Sequence, residues 1–233
     1  VIRFVTFNVR HGLAEGADEP DPHAVAAVVG ALGADVLALQ ELDVRVPRSG
    51  STDQLQLALD AAPGRTGHFA KTLDMHGGDY GIGLVVRGRL DDLEEYSLQP
   101  PGELRKAIIA RVHLDDSDDR PAPPPFTVAA THLQNDRKVA RAQLVELLGV
   151  LAERPGPHVL LGDLNISPFT VDGVCMELAW DAVANAATFP ARSPRTQIDW
   201  VVTRGFDLVA AVVPDVRVSD HRPVVVELTP RPD

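Results

Sequence analysis

Val1 to Asn8 reads VIRFVTFN, an alternation of apolar and polar side chains with the period of a half-buried strand, and it ends in the polar run Asn8-Val9-Arg10-His11-Gly12. The pattern predicts a strand that delivers Asn8 to a loop. Asp21 followed by Pro22 is a helix start, with Val25, Val28, Val29 and Leu32 recurring on one face and Gly33 at the stop. Such a helix packs on a sheet. Asp35 to Leu39 is a short apolar strand that runs straight into Gln40-Glu41, so a carboxamide and a carboxylate stand at a second strand end.

The signals continue with a helix from Ser51 to about Leu59, strands near His68 to Lys71 and through Ile82 to Val86, and a long strand from Arg105 to Leu114. Asp115 to Pro125, DDSDDRPAPPP, reads as a solvated hairpin connection, because the strand Phe126 to Thr131 continues the same architecture. A helix from about Lys138 to Glu153 carries the stripe Leu144, Leu147, Leu148 and Leu151 and is stopped by Pro155. Val159 to Leu161 is a strand ending in Gly162-Asp163-Leu164-Asn165. Beyond an irregular stretch come Ile198-Asp199-Trp200-Val201-Val202 and a last strand, Val224 to Leu228, just after Ser219-Asp220-His221-Arg222-Pro223. No repeat of solenoid period is present, and strands and helices interleave too irregularly for a barrel of eight βα units. A mixed α/β sandwich forming one domain over residues 1–233 is expected.

Composition narrows the field. With 45% hydrophobic and 24% charged residues among 233, the chain builds a core and is not globally disordered. Lys and Arg number 22 against 33 Asp and Glu, a net charge of -11, the opposite of the basic surplus expected where phosphate contacts dominate binding. Cys175 is the single cysteine, so disulfide scaffolds and multi-cysteine metal sites are excluded. No apolar run approaches the roughly 18 residues of a membrane span. A cytoplasmic monomer is the expectation.

Six strand ends carry polar groups: Asn8, Glu41, His132, the pair Asp163 and Asn165, Asp199, and the pair Asp220 and His221. Taken singly, each has an ordinary structural reading as a turn former, a strand-terminal charge or a satisfied histidine. Recurring six times, the arrangement points to one functional mouth. Four carboxylates gathered there would repel by up to about 4 kcal/mol per close pair at an effective dielectric of 20, so a cation is required. Oxygen and amide donors without thiolates select a hard divalent ion, Mg²⁺ or Mn²⁺.

Thr6-Phe7-Asn8, Leu39-Gln40-Glu41, Thr131-His132-Leu133, Gly162-Asp163-Leu164-Asn165, Ile198-Asp199-Trp200 and Ser219-Asp220-His221-Arg222-Pro223 resemble, in order and spacing, the motifs of the endonuclease/exonuclease/phosphatase superfamily. The resemblance runs from Val1 to Leu228. It implies a DNase I-like fold, a four-layer α/β/β/α sandwich with two mixed sheets, and metal-dependent hydrolysis of phosphoesters. It further implies that Glu41 is the main metal ligand with Asn8 and Asp220 contributing, and that Asp163 orients or deprotonates the attacking water. Asn165 would hold that water or a phosphate oxygen. His221, aligned by Asp199, would donate to a non-bridging oxygen, and His132 would lie near the leaving group. Asp79, in Gly77-Gly78-Asp79-Tyr80-Gly81, would partner His132.

Asp53-Gln54, the stretch around Asp79, Glu103-Leu104-Arg105-Lys106-Ala107 and Thr188-Phe189-Pro190 are similar to a bacterial group of metal-dependent hydrolases within that superfamily. The chain departs from it at Ile82, where relatives commonly carry Asn. Arg105, Asp79 and Tyr80 are the expected substrate contacts. Abasic-site endonucleases of the superfamily usually follow Gln-Glu with a nearby lysine, whereas Leu42-Asp43-Val44 follows here. With scattered arginines and 5% aromatics, neither a duplex-binding groove nor the exposed aromatic hairpins of phospholipid-cleaving relatives is visible. A small soluble phosphoester is therefore favoured over nucleic acid or a phospholipid headgroup, and a silent binding module on the same fold is the remaining class.

Overall fold

The computed structural model describes residues 1–99, 102–116, 121–183 and 186–232. In chain order the elements are β1 (Ile2–Asn8), α1 (Pro22–Leu32), β2 (Val36–Val44), α2 (Gln54–Ala61), β3 (Thr66–Met75), β4 (Gly78–Val86), β5 (Gly88–Ser97) and β6 (Lys106–Leu114). They continue with β7 (Phe126–His132), α3 (Arg137–Ala152), β8 (His158–Asp163), α4 (Pro168–Leu178), β9 (Asp181–Val183), β10 (Asp199–Arg204), β11 (Phe206–Val212) and β12 (Val224–Pro230). One sheet has the order β11-β12-β1-β2-β4-β3 and the other β5-β6-β7-β8-β10-β9. Each is mixed, with a parallel pair at its centre: β1 with β2, and β7 with β8.

Helix boundaries follow their caps. Asp21 accepts from Ala24 N–H at 2.9 Å ahead of Pro22, and α1 stops at Gly33, whose φ is 60°. The second helix begins at Gln54, later than Ser51, because the side chain that satisfies its first turn is Asp53, accepting from Gln56 N–H. Asp136 does the same for α3. The stretch after Asn165, irregular by its pattern, contains α4, with Val171, Val174 and Cys175 buried at helical spacing behind Ser167-Pro168. Strands β5, β9 and β11 also escape the pattern. The first is a sheet edge rich in Asp and Glu, the second has three residues, and the third exposes most of its side chains. The Asp115–Pro125 connection joins antiparallel β6 and β7, as a hairpin should; its residues 117–120 lie outside those described.

Three apolar clusters define four layers. Between the sheets lie Phe4, Val36, Ala38, Ile82, Leu84, Ile108, Val128, Ala130, Val159, Leu161, Val201 and Val224 among others. On the outer face of the first sheet, Val5, Phe7, Leu39 and Leu42 meet Val25 and Val29 of α1 and Leu55 and Ala58 of α2. On the second, Ile109, Ala129 and Leu160 meet the leucines of α3 and Val171 and Val174 of α4. Ile82 is 2% exposed and belongs to the inter-sheet core, so an aliphatic side chain there fills the floor beneath the polar strand ends. No helix among the described residues is long and apolar enough to cross a membrane.

Phe4, Phe126 and Phe206 stack edge to face with centroids 5.6 to 5.8 Å apart and join the two sheets at the end of the seam where β7 and β11 begin. Replacing Phe126, which is fully buried, with alanine should cost about 3–5 kcal/mol, read as a lowered urea midpoint. A loss below about 1 kcal/mol would show that this contact does not hold the sheets together.

Candidate active site

Side chains alternate along a strand, and the inner-face parity carries the apolar core to its polar end. Phe4, then Thr6 and Asn8, face the opposite sheet on β1; Val128, Ala130 and His132 do so on β7; Val159, Leu161 and Asp163 on β8; Asp199 and Val201 on β10. Asn8, His132, Asp163 and Asp199 thus meet at one end of the seam between the sheets, all 5% exposed or less. Just before Asp163, Gly162 lets β8 lie close against β7. A Cβ on it would lie 2.2 Å from the Thr131 carbonyl oxygen.

Glu41 arrives by a different device. Leu39 pairs with Gly83 and Leu42 with Gly81, so Gln40 and Glu41 together oppose Ile82 in a β-bulge, with Glu41 left-handed at φ 60°. The extra residue lets Leu39 and Leu42, three apart, both face the helices while Gln40 and Glu41 stay at the strand's polar end.

Asp163 is at the centre of the cluster. Asn8 Nδ2 donates to Asp163 Oδ2 and to Glu41 Oε1, both at 3.0 Å, and the Asn165 N–H donates to Asp163 Oδ1 at 3.0 Å. His132 Nε2 and His221 Nε2 stand 3.6 and 3.9 Å from Asp163 Oδ2. Burial and the neighbouring Asp199 charge push the Asp163 carboxyl up to about 7, against His221 and the hydrogen bonds from Asn8 and Asn165. His221 Nδ1 donates to Asp199 Oδ2 at 2.9 Å, and Thr188 Oγ donates to the same oxygen. Burial opposes charge on His221, but Asp199, Asp163 and Asp220 outweigh it and raise its pKa to about 10. The ring also packs against Phe189, centroids 4.9 Å apart.

Asp220 lies at the rim, 3.4 Å from Arg10 Nε. Arg10 follows Asn8 in the Asn8-Val9-Arg10-His11-Gly12 run, and its own N–H donates to Asn8 Oδ1 at 3.0 Å; nothing in the pattern of that run assigned it a place in the site. Asn165, left-handed at φ 54°, donates its amide to the Leu133 carbonyl and stays at the mouth. Tyr80 lies on β4 near Glu41 and Arg105, under the Arg48 guanidinium at 5.7 Å. Burial and then Glu41 raise its hydroxyl far above the usual phenol range, so it remains a neutral donor.

One expected pairing is replaced. Asp79 bonds Lys71 Nζ at 2.8 Å and lies 3.8 Å from Arg45, whereas the group at His132 Nδ1 is Arg105, whose Nη1 is 3.1 Å away. The register explains it. On β4, Asp79 is one residue from Tyr80 and has the opposite parity, while Arg105, 5% exposed, precedes β6 beside the end of β7.

A model of the Endonuclease/Exonuclease/phosphatase family matches residues 5–221. The chain belongs to that family. Its members are named for cleaving phosphoester bonds, and solved structures share the fold. A family member from Beutenbergia cavernae superposes with a TM-score of 0.77 at 24% identity, covering 99% of this chain and 72% of that one. A mannosyl-6-phosphatase from Bacteroides thetaiotaomicron gives 0.77 at 17% identity, covering 98% and 100%. The TDP2 of D. rerio, complexed with a single-strand DNA product, gives 0.74 at 16%, covering 98% of each. No curated protein matches the sequence.

The raised pKa of His221 makes stability depend on pH. In the unfolded chain the imidazole loses its proton near 6.5 and in the folded chain near 10, so its contribution is complete below about 6.5 and is lost as pH climbs to about 10. Asp163, harder to ionise folded than unfolded, acts in the same direction through about 7. The metal-free protein should therefore lose urea resistance between pH 6 and 10, and His221→Gln should flatten that decline. Parallel curves for the two proteins would contradict the assignment.

Proposed function

We propose that this protein is a divalent-metal-dependent phosphoesterase that hydrolyses a small soluble phosphoester by in-line attack of water. The observation that carries the reading is Asp163, a buried carboxyl whose pKa lies near neutrality, encircled by amide and imidazole donors at the end of the inter-sheet seam. A base of that strength is matched to accepting a proton from water at physiological pH.

The residues fit a hard divalent cation. Four carboxylates converge with amide oxygens and without a thiolate, and the fully buried Asp199 Oδ1 has no hydrogen-bond partner among the described residues, a sign of negative charge that their donors leave unmet. Asp163, Asp199 and His221 present atoms within 4.8 Å of one another. Their hydrogen bonds, however, describe a histidine oriented by a carboxylate, and we assign the ion to Glu41 and Asp220 at the more open rim. Asn8 Oδ1, which keeps a lone pair beyond its bond from Arg10 N–H, would contribute. Mg²⁺ or Mn²⁺ held there supplies charge for the phosphoryl oxygens. Asp163 takes the proton of the attacking water, Asn165 holds that water or a phosphate oxygen, and cationic His221, oriented by Asp199, donates to a non-bridging oxygen as charge builds. Arg105 and Tyr80 are the remaining donors for substrate, while Asp79, engaged with Lys71, shapes the rim.

The -11 net charge favours a small substrate over a nucleic acid, although the family's nucleases keep that alternative in the test. A panel of phosphomonoesters, phosphodiesters, single- and double-stranded DNA, RNA and choline phospholipids should show turnover of a small ester. Excess EDTA should abolish it, and Mg²⁺ or Mn²⁺ should restore it. Full activity in EDTA would refute the reading, and inactivity across the panel with metal would return the chain to a binding role. Asp163→Asn should lower kcat by on the order of 10³ with KM nearly unchanged, and Glu41→Gln should regain activity at raised metal concentration. Metal rescue of Asp163→Asn in place of Glu41→Gln would mean that base and ligand are exchanged.

A further inference from the structure

The two histidines of the cluster have opposite partners. His221 has a carboxylate behind its Nδ1, and His132 has a guanidinium. A guanidinium offers five N–H donors and no acceptor, so the 3.1 Å contact requires His132 Nδ1 to accept. A neutral imidazole that accepts at one nitrogen carries its proton on the other.

We infer that Arg105 is a positioning residue that fixes His132 as the neutral tautomer with its proton on Nε2, so that His132 gives the phosphoryl group a hydrogen bond and not a proton. Both residues are buried, 5% exposed each, and Arg105 Nε has no partner at all among the described residues. The guanidinium thus approaches the ring with one donor committed to Nδ1 and its buried Nε unmet by any protein acceptor among the described residues. Among the described residues, the carboxylate paired with its charge is that of Glu103, 3.4 Å from Nη1.

The groups facing the ring agree. They are Arg105 from the segment before β6, Asp163 from β8 and His221 from the segment before β12. A proton added at Nδ1 would meet the Arg105 N–H directly, with cationic His221 nearby. Burial, then Arg105, then His221 hold the imidazole well below its usual range. His132 Nε2 lies on the Asp163 side, 3.6 Å from Oδ2, so its N–H faces the carboxyl that the proposed reaction uses as base.

For catalysis the consequence rests on the phosphoesterase reading; the tautomer does not. As the water oxygen bonds phosphorus and the bond to the leaving oxygen breaks, the water's proton passes to Asp163. The leaving oxygen takes its proton from solvent, and His132 keeps its own throughout.

Imidazole ¹⁵N–¹H correlation spectra of the protein with Mg²⁺ read the tautomer directly. Wild-type His132 should be neutral with the proton on Nε2 from pH 6 to 8. Arg105→Gln, whose amide can still donate to Nδ1, should keep that signature, and Arg105→Met should mix the tautomers and bring the titration toward 6.5. Wild-type His132 protonated on Nδ1, or cationic at pH 6, overturns the proposal whether or not any variant folds. On an active substrate, His132→Gln should keep kcat within about tenfold because its amide donates a hydrogen bond, while His132→Ala loses on the order of 10². Equal losses in the two would identify a proton donor and contradict the inference. A protein that turns over no phosphoester would sink the proposed function while the spectra still decide the tautomer.

Discussion

Burial of both faces of the central strands governs this molecule. A strand of β1, β7, β8 or β10 must satisfy a helix layer on one side and a second sheet on the other, so its inner positions are committed to a shared seam along their whole length. Where the apolar residues end, the next inner position is still inside the seam. Asn8, His132, Asp163 and Asp199 occupy those positions, and their mutual proximity is a consequence of strand parity. A one-residue slip of any of these strands would exchange its core residues for its polar ones and remove its contribution to the cluster.

That placement sets the electrostatics. Carboxylates at the end of an apolar seam are poorly solvated, and each responds according to its neighbours. Asp163 holds its proton toward neutrality, His221 between Asp199 and Asp163 holds its own far above neutrality, and His132 behind Arg105 gives its up. Three titratable groups within one cluster are thereby driven apart, the condition under which acid and base roles become distinct at a single pH.

Much of this was legible in the sequence because the governing constraint is periodic. The alternation in Val1–Asn8 and the apolar runs before Glu41, His132, Asp163 and Asp199 expose both the strands and the groups at their ends. Of the features that were not legible, three have a definite reason. The edge strands β5 and β11 bury too few side chains to write a pattern. The bulge at Gln40-Glu41 shows only as Leu39 and Leu42 three apart, which breaks the alternation without saying why. The partner of His132 is a matter of register between distant strands. A carboxylate next to Tyr80 looks equivalent to an arginine ahead of β6 until the pairings of β4 with β3 and of β6 with β7 are known, and the parity of β4 then sends Asp79 to Lys71.

The central claim is that the seam end is a metal-assisted phosphoryl site, with the ion on the open rim and the water-activating carboxyl buried behind it. Anomalous diffraction from crystals soaked in Mn²⁺ locates the ion directly. The account predicts a peak about 2.0–2.6 Å from the Glu41 carboxylate and adjacent to Asp220, leaving the His221–Asp199 hydrogen bond intact. A peak held by Asp163, Asp199 and His221 with none at Glu41, or no peak in the cluster at all, would contradict it.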